Sequence, residues 1–203
     1  MASHHLIIFV KAPRRGGVKT RLARAIGEEA ACAAYKRLVE ELIERLASIP
    51  SVELRFTPDD AVTEIRQWRR DNWHLRPQGE GDLDQRLERA FADAFANGAE
   101  YVAAVGSDCP AITPEDIQSA WAALRTNDVV LGPAKDGGYW LIGLREPRSA
   151  LFQTIDWSTD QVLKQTMRRA QARNLKVELL RELSDVDTES DWMEFLEQNR
   201  RML

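Results

Sequence analysis

Short apolar runs alternate along the chain with stretches whose apolar positions recur every three or four residues. Residues 6–10 are uninterrupted apolar and run into a turn rich in Pro, Gly and basic side chains at 11–20, which predicts a buried first strand. Over 28–47, Ala31, Ala34, Tyr35, Leu38, Leu42 and Leu46 recur at helical spacing. Residues 52–56 alternate and predict a second strand, 61–70 a short helix, and 73–76 a third strand. Residues 84–95 form an amphipathic helix with Leu87, Ala90, Phe91, Ala94 and Phe95 on one face, ended by Asn97-Gly98. Residues 101–105 read as a buried strand. Thr113 as N-cap and Pro114 at the first helical position open a helix to about Arg125. Strands at 128–131 and 139–144 are joined across a polar, flexible-looking tip, Lys135-Asp136-Gly137-Gly138. A helix at 159–173 with Ser158 or Thr159 as its cap, a strand at 176–180 and a helix at 189–199 complete the chain. Strands alternating with helices predict an α/β fold with a largely parallel sheet and one antiparallel excursion after residue 139. No repeat, low-complexity tract or linker divides residues 1–203, so a single domain is expected.

Composition narrows the class of partner. The 203 residues are 44% hydrophobic and 30% charged, as in ordinary globular proteins, and the net charge is −4. No global field attracts nucleic acid or an anionic membrane, so a nucleotide has to be held by a local cluster of positive charge. No apolar run approaches the roughly 20 residues of a membrane span. The first five residues lack the basic flank and cleavage spacing of a signal peptide. With only Cys32 and Cys109, neither a disulfide framework nor a four-cysteine zinc site can form, and both thiols are expected reduced in the cytoplasm.

Three strands end abruptly in Gly plus charged residues, and open α/β sheets bind ligands at such strand ends. After the first strand, Gly16 and Gly17 permit positive φ and close approach to a ligand. Lys11, Arg14, Lys19 and Arg21 supply charge there, and turn N–H groups can cup an anion. The segment serves equally as a solvated basic loop, and it is neither a Walker motif nor G-x-G-x-x-G. After the central strand comes Gly106-Ser107-Asp108-Cys109-Pro110, where Asp108 can ligate a hard cation carried by phosphates. Asp108 lies too far before the Pro114 helix to be its cap, and Cys109, with no His partner in view, reads as packing. Asp136-Gly137 is a strong hairpin signal, yet Lys135 and the apolar continuation also suit a tip that faces substrate. Thr188 and Asp191 have capping-box spacing before the last helix, and on spacing alone that segment reads as a cap.

Taken in order, six segments resemble one bacterial family. It is an uncharacterised glycosyltransferase family of selenodomain-associated transferase type, within the nucleotide-diphospho-sugar transferase superfamily. They are residues 11–22, 78–83, 106–110, 132–144, 157–159 and 185–188. The resemblance implies a Rossmann-like glycosyltransferase-A fold, a mixed, mostly parallel sheet flanked by helices. It implies that Lys11, Gly16, Lys19 and Arg21 hold nucleotide phosphates and that Asp108 and Asp187 hold Mg²⁺ or Mn²⁺. It also implies that Gly137 and Gly138 face substrate; Lys19 and Asp136 are the catalytic candidates, Asp136 as a base or acceptor-orienting group. Two positions depart from the family pattern: Arg15 replaces a second Pro, and Asp84 stands where Gly is usual. The function implied is a metal-dependent transferase using a nucleotide-activated donor, foremost a nucleotide sugar, and a small-molecule acceptor. A nucleotidyltransferase joining an NTP to a phosphorylated or acidic acceptor, and a non-catalytic nucleotide-binding domain, are the alternatives.

Overall fold

The computed structural model describes residues 3–200. Seven strands form one sheet: β1 (His4–Lys11), β2 (Val52–Thr57), β3 (Trp73–Pro77), β4 (Tyr101–Gly106), β5 (Val129–Pro133), β6 (Tyr139–Leu144) and β7 (Val177–Leu179). Their spatial order is β3-β2-β1-β4-β6-β5-β7. Every pairing is parallel except those of β6 with β4 and β5. The mixed, mostly parallel sheet and its single antiparallel strand are as the strand–helix alternation implies.

Helices cover both faces. Leu6, Ile8 and Val10 of β1 pack with Tyr35, Val39 and Leu42 of α2 (Glu28–Arg45), with α3 (Val62–Ile65) and with α5 (Pro114–Ala123). Ile7 of β1, Val102 of β4 and Ile142 of β6 pack with Leu87 and Phe91 of α4 (Leu83–Ala96) and Ala170 of α6 (Val162–Gln171). α1 (Thr20–Ile26) and α7 (Glu189–Arg200) lie outside α2, through Leu22 against Ala31 and Phe195 against Leu38. Among the described residues, no helix is long and apolar enough to cross a membrane.

Local chemistry explains most element ends and several departures. Thr113 and Asp116 close the capping box of α5, and Asp82 and Gln85 that of α4. Asp84 therefore lies in the first turn of a helix, where its charge suits the dipole. α1 is unannounced in the sequence because it is two turns long, buries only Leu22 and starts without a side-chain cap. The helix expected from residue 159 starts at Val162 instead. Thr159 Oγ1 donates to the Asp156 carbonyl and accepts from the Gln161 N–H, while Ser158 sits at φ +64°, so these residues build a turn rather than a cap.

The tip between β5 and β6 is fastened, not loose. Asp136 Oδ1 accepts from the Gly138 N–H at 2.9 Å, Ala134 N–H donates to the Gly138 carbonyl, and Leu163 N–H donates to the Gly137 carbonyl. Gly137 has φ +87°, and a Cβ there would lie 2.4 Å from the Asp160 carbonyl oxygen. Gly137 is demanded by close approach of backbone to backbone, which ties the tip to the start of α6.

Candidate functional site

The parallel strands point their carboxyl ends to one edge, and strand order reverses between β1 and β4, the usual place for a ligand crevice in such sheets. Two buried contacts lock these ends together. The Lys11 N–H donates to Tyr35 Oη at 2.8 Å, and that hydroxyl meets Ser107 Oγ at 3.0 Å. Burial, reinforced by the Asp108 charge, pushes the Tyr35 phenol well above its ordinary range, so it stays a neutral hydrogen-bonding post.

Directly beyond this post, three distant segments meet. Lys19 Nζ lies 2.6 Å from Asp108 Oδ1 and 3.0 Å from Asp187 Oδ1, with Arg21 Nη1 3.7 Å from Asp187 Oδ2. The Lys19 side chain is 3% exposed, against 48% for Asp108 and 36% for Asp187, so the ammonium is enclosed while the carboxylates face outward. Burial works against the charge on Lys19, but Asp108 and Asp187 outweigh it and hold its pKa above the ordinary value. The backbone of Lys19 is left-handed, φ 48° and ψ 46°. A non-glycine residue there costs on the order of 1 kcal/mol, which the two ion pairs offset.

The third segment is held by its own fastenings. The Val186 N–H donates to the Asp108 carbonyl at 3.0 Å. Arg181 Nε and Nη2 each lie 2.6 Å from a carboxylate oxygen of Asp116, and its carbonyl accepts from Trp140 Nε1. Gly132 makes room for that indole, since a Cβ there would lie 2.3 Å from Trp140 Cε2. Thr188 and Asp191 do form the expected capping box: Thr188 N–H donates to Asp191 Oδ2 at 2.7 Å and Asp191 N–H to Thr188 Oγ1 at 3.3 Å. That leaves the Asp187 carboxylate free of capping and turned to Lys19. Burial opposes ionisation of Asp116, but Arg181 and Thr113 hold its carboxyl below the usual range. Its contribution is therefore fully present above about pH 4 and lost as pH falls through the folded-state pKa. Asp116→Ala is expected to cost about 1.5 kcal/mol at pH 7, discounted for the half-exposed Arg181, with the deficit shrinking as pH falls below about 4; urea melts at pH 7 and pH 3 check it.

Sequence reasoning missed Asp185. It is the third carboxylate of this edge, and its pKa is pushed up to about 7 by burial and by the charges of Asp108, Asp136 and Asp187, against the pull of Lys19. The signal was present in Asp185-Val186-Asp187: in an extended segment the two acids share a side while Val186 turns into the core. Asp136 is exposed and belongs to this group through its charge. Gly137 and Gly138 lie in the adjacent tip. Gly16, at φ +71°, faces Glu28 of α2 rather than the carboxylates. Lys11 is exposed at the end of β1. The basic loop is largely neutralised by the chain itself, since Arg14 pairs with Asp60 and Glu64 and Arg15 with Glu29. Cys109 is buried, and burial together with Asp185 pushes its thiol up to about 12, which suits packing and not nucleophilic chemistry.

Among the described residues, no group of three or more His, Cys, Asp or Glu side chains is set to hold a metal unaided. The donor chemistry nevertheless fits a hard cation that arrives with phosphates, which needs only one or two protein carboxylates. Asp108 and Asp187 each aim an oxygen at one shared point, and a cation already sits there, the Lys19 ammonium. Two open surface hollows, of about 610 Å³ beside Met167 and Val177 and about 510 Å³ beside Gly81 and Arg89, are lined by other residues.

The sheet order and helical layers define a nucleotide-diphospho-sugar transferase-like fold. A protein from Desulfovibrio desulfuricans G20, provisionally described as a nucleotide-diphospho-sugar transferase, matches at a TM-score of 0.91 and 31% identity, covering 98% of this chain and 89% of that one. The chain belongs to the family described as "Uncharacterized protein conserved in bacteria (DUF2064)", whose profile matches residues 43–159. Asp108 and Asp136 lie inside that match, Lys19 and Asp187 outside it. The CMP:2-keto-3-deoxy-manno-octonic acid synthetase complexed with CTP is similar in fold, at a TM-score of 0.64 and 10% identity over 100% of both chains. The 4-diphosphocytidyl-2C-methyl-D-erythritol synthase from Anaerococcus prevotii DSM 20548 is likewise similar, at 0.65 and 13% identity over 98% of this chain and 96% of that one. Among curated proteins no sequence matches.

Proposed function

We propose that this chain is a metal-dependent transferase acting on a nucleotide-activated donor, with a nucleotide sugar as the donor and a small molecule as acceptor. The observation that carries the reading is the meeting of Lys19, Asp108 and Asp187 at the carboxyl ends of β1 and β4. Asp108 and Asp187 would hold Mg²⁺ or Mn²⁺, which supplies charge neutralisation for the departing diphosphate. Lys11, Lys19 and Arg21 are the cations within reach of the phosphates, with Gly16 shaping the loop between them. Asp136 and the Gly137-Gly138 backbone edge the crevice on the acceptor side, where Asp136 orients the attacking group or takes its proton.

A nucleotidyltransferase is the rival reading, and it is favoured by the likeness of fold to the CTP-bound synthetase. The charge balance favours the nucleotide sugar. Within the loop Arg14 and Arg15 are paired to acids, Lys19 lies between carboxylates and Arg21 is 3.7 Å from Asp187, a limited reserve of positive charge that suits a diphosphate better than the more highly charged triphosphate. The products separate the two: a nucleoside diphosphate from a nucleotide sugar, or pyrophosphate from an NTP.

A thermal-shift screen of nucleotides and nucleotide sugars with Mg²⁺ and Mn²⁺ tests both, because a ligand that binds only the folded state raises its melting temperature. Asp108→Ala is expected to abolish the metal-dependent part of the shift and to weaken the metal–nucleotide pair at least tenfold. An unchanged metal response in that variant overturns the assignment of Asp108.

A further inference from the structure

We propose that the Lys19 ammonium is a built-in competitor of the divalent metal: in the free protein it holds Asp108 and Asp187 closed, and metal gains them when Lys19 is drawn off by an anionic ligand. This rests on the reading of Asp108 and Asp187 as metal ligands.

The geometry leaves one place for two cations. Lys19 Nζ bridges the Oδ1 atoms of both carboxylates at 2.6 and 3.0 Å. Mg²⁺ bound to the same two oxygens would sit about 2.0–2.1 Å from each, within the volume of the ammonium. A dication beside that ammonium, in a pocket from which the lysine side chain sees almost no water, meets strong like-charge repulsion. Metal entry therefore requires the lysine to leave.

The charge around the pocket makes the exchange favourable once Lys19 moves. Asp108, Asp136 and Asp187 lie close enough to act on Asp185, Lys19 is paired with Asp108 and Asp187, and Arg21 with Asp187. Removing the Lys19 charge leaves four carboxyl groups with Arg21 at their rim, a far stronger attraction for a dication than the free protein offers. Lysine suits this role, since its ammonium is a compact charge on a flexible four-carbon stem and can turn from carboxylate to phosphate oxygen. The consequence is coupling: an anionic ligand that takes Lys19 raises metal affinity, and metal raises the affinity of that ligand by the same factor.

Mn²⁺ binding followed by electron paramagnetic resonance on the full chain tests this without reference to turnover. Lys19→Met is expected to bind Mn²⁺ at least tenfold more tightly than the wild type in the absence of nucleotide. Lys19→Arg, which keeps the positive charge, is expected to stay within about threefold of the wild type. A Lys19→Met protein that is folded by circular dichroism and binds Mn²⁺ no more tightly than the wild type overturns the proposal. Should Lys19→Met not fold, Lys19→Gln serves the same comparison. In the wild type, UDP or CTP as probe is expected to raise Mn²⁺ affinity at least tenfold after correction for metal bound to free nucleotide. A nucleotide that binds without changing Mn²⁺ affinity also overturns the proposal. Tighter Mn²⁺ binding by Lys19→Met in a protein that binds no nucleotide supports the competition while refuting the transferase reading. Metal-dependent nucleotide binding with no gain in Lys19→Met does the reverse.

Discussion

Arg55→Ala is expected to lower folding stability by about 4 kcal/mol. Arg55 lies in β2, is 1% exposed, and donates from Nε to Glu53 and from Nη2 to Asp93 of α4 at 2.6 Å. Arg76 of β3 completes the network, 3.4 Å from Glu53 and 3.1 Å from Asp93. Truncation strands the Glu53 carboxylate, itself 6% exposed, beneath α4 with one long contact to Arg76. Breaking a buried ion pair from one side costs roughly 3–5 kcal/mol, because the remaining charge is neither solvated nor paired. For a chain of this length that corresponds to a fall in Tm of about 8–16 °C. Replacing both partners, as Glu53→Leu with Arg55→Met, is expected to recover most of the loss, since apolar residues of similar volume remove the desolvation penalty altogether. Denaturant melts of the single and double variants decide the matter. A single variant within about 1 kcal/mol of the wild type would mean that water reaches Glu53.

The same pair shows why part of the fold is legible in the sequence and part is not. Alternation at 52–56 correctly marks a strand, and Val52, Leu54 and Phe56 do face the α2 side. Alternation ordinarily means that the polar face meets water, whereas here Glu53 and Arg55 are covered, a fact that depends on Asp93 and Arg76 arriving from elsewhere in the chain. The strands, their largely parallel order and the antiparallel β6 follow from local pattern, because apolar runs and turn residues are properties of neighbours in sequence. α1 and the late start of α6 do not, because neither has a capping side chain to announce it. The site divides in the same way. Lys19 and Asp108 could be named from their own segments and Asp187 only through the family resemblance, but nothing local says that Lys19 turns to the two acids and not to solvent. That Arg14 and Arg15 are neutralised by Asp60, Glu64 and Glu29 is also a tertiary fact. Asp185 is the omission that spacing could have repaired.

Asp185→Asn is expected to make the protein more stable at pH 8, by about 2–3 kcal/mol. Gathering acids at one edge carries a cost in folding, which is visible at Asp185. Burial comes first and the charges of Asp108, Asp136 and Asp187 second, and together they raise its carboxyl from the ordinary 3.8 to about 7. Between those values the folded state binds a proton that the unfolded chain has released. Folding stability therefore declines as pH rises from about 4 to about 7, and the full deficit is present above that. A shift of about 3 units corresponds to roughly 4 kcal/mol, reduced here because the side chain retains some contact with water. Asparagine keeps the size and removes the charge. The variant is expected to match the wild type near pH 4, to draw ahead as pH rises, and to hold a constant lead above about pH 7. Urea melts at pH 4.5, 6 and 8 give that profile directly. A lead that is absent at pH 8, or equal at all three, would show that Asp185 is ionised at little cost. The carboxylates would then be shielded from one another by water rather than gathered around Lys19.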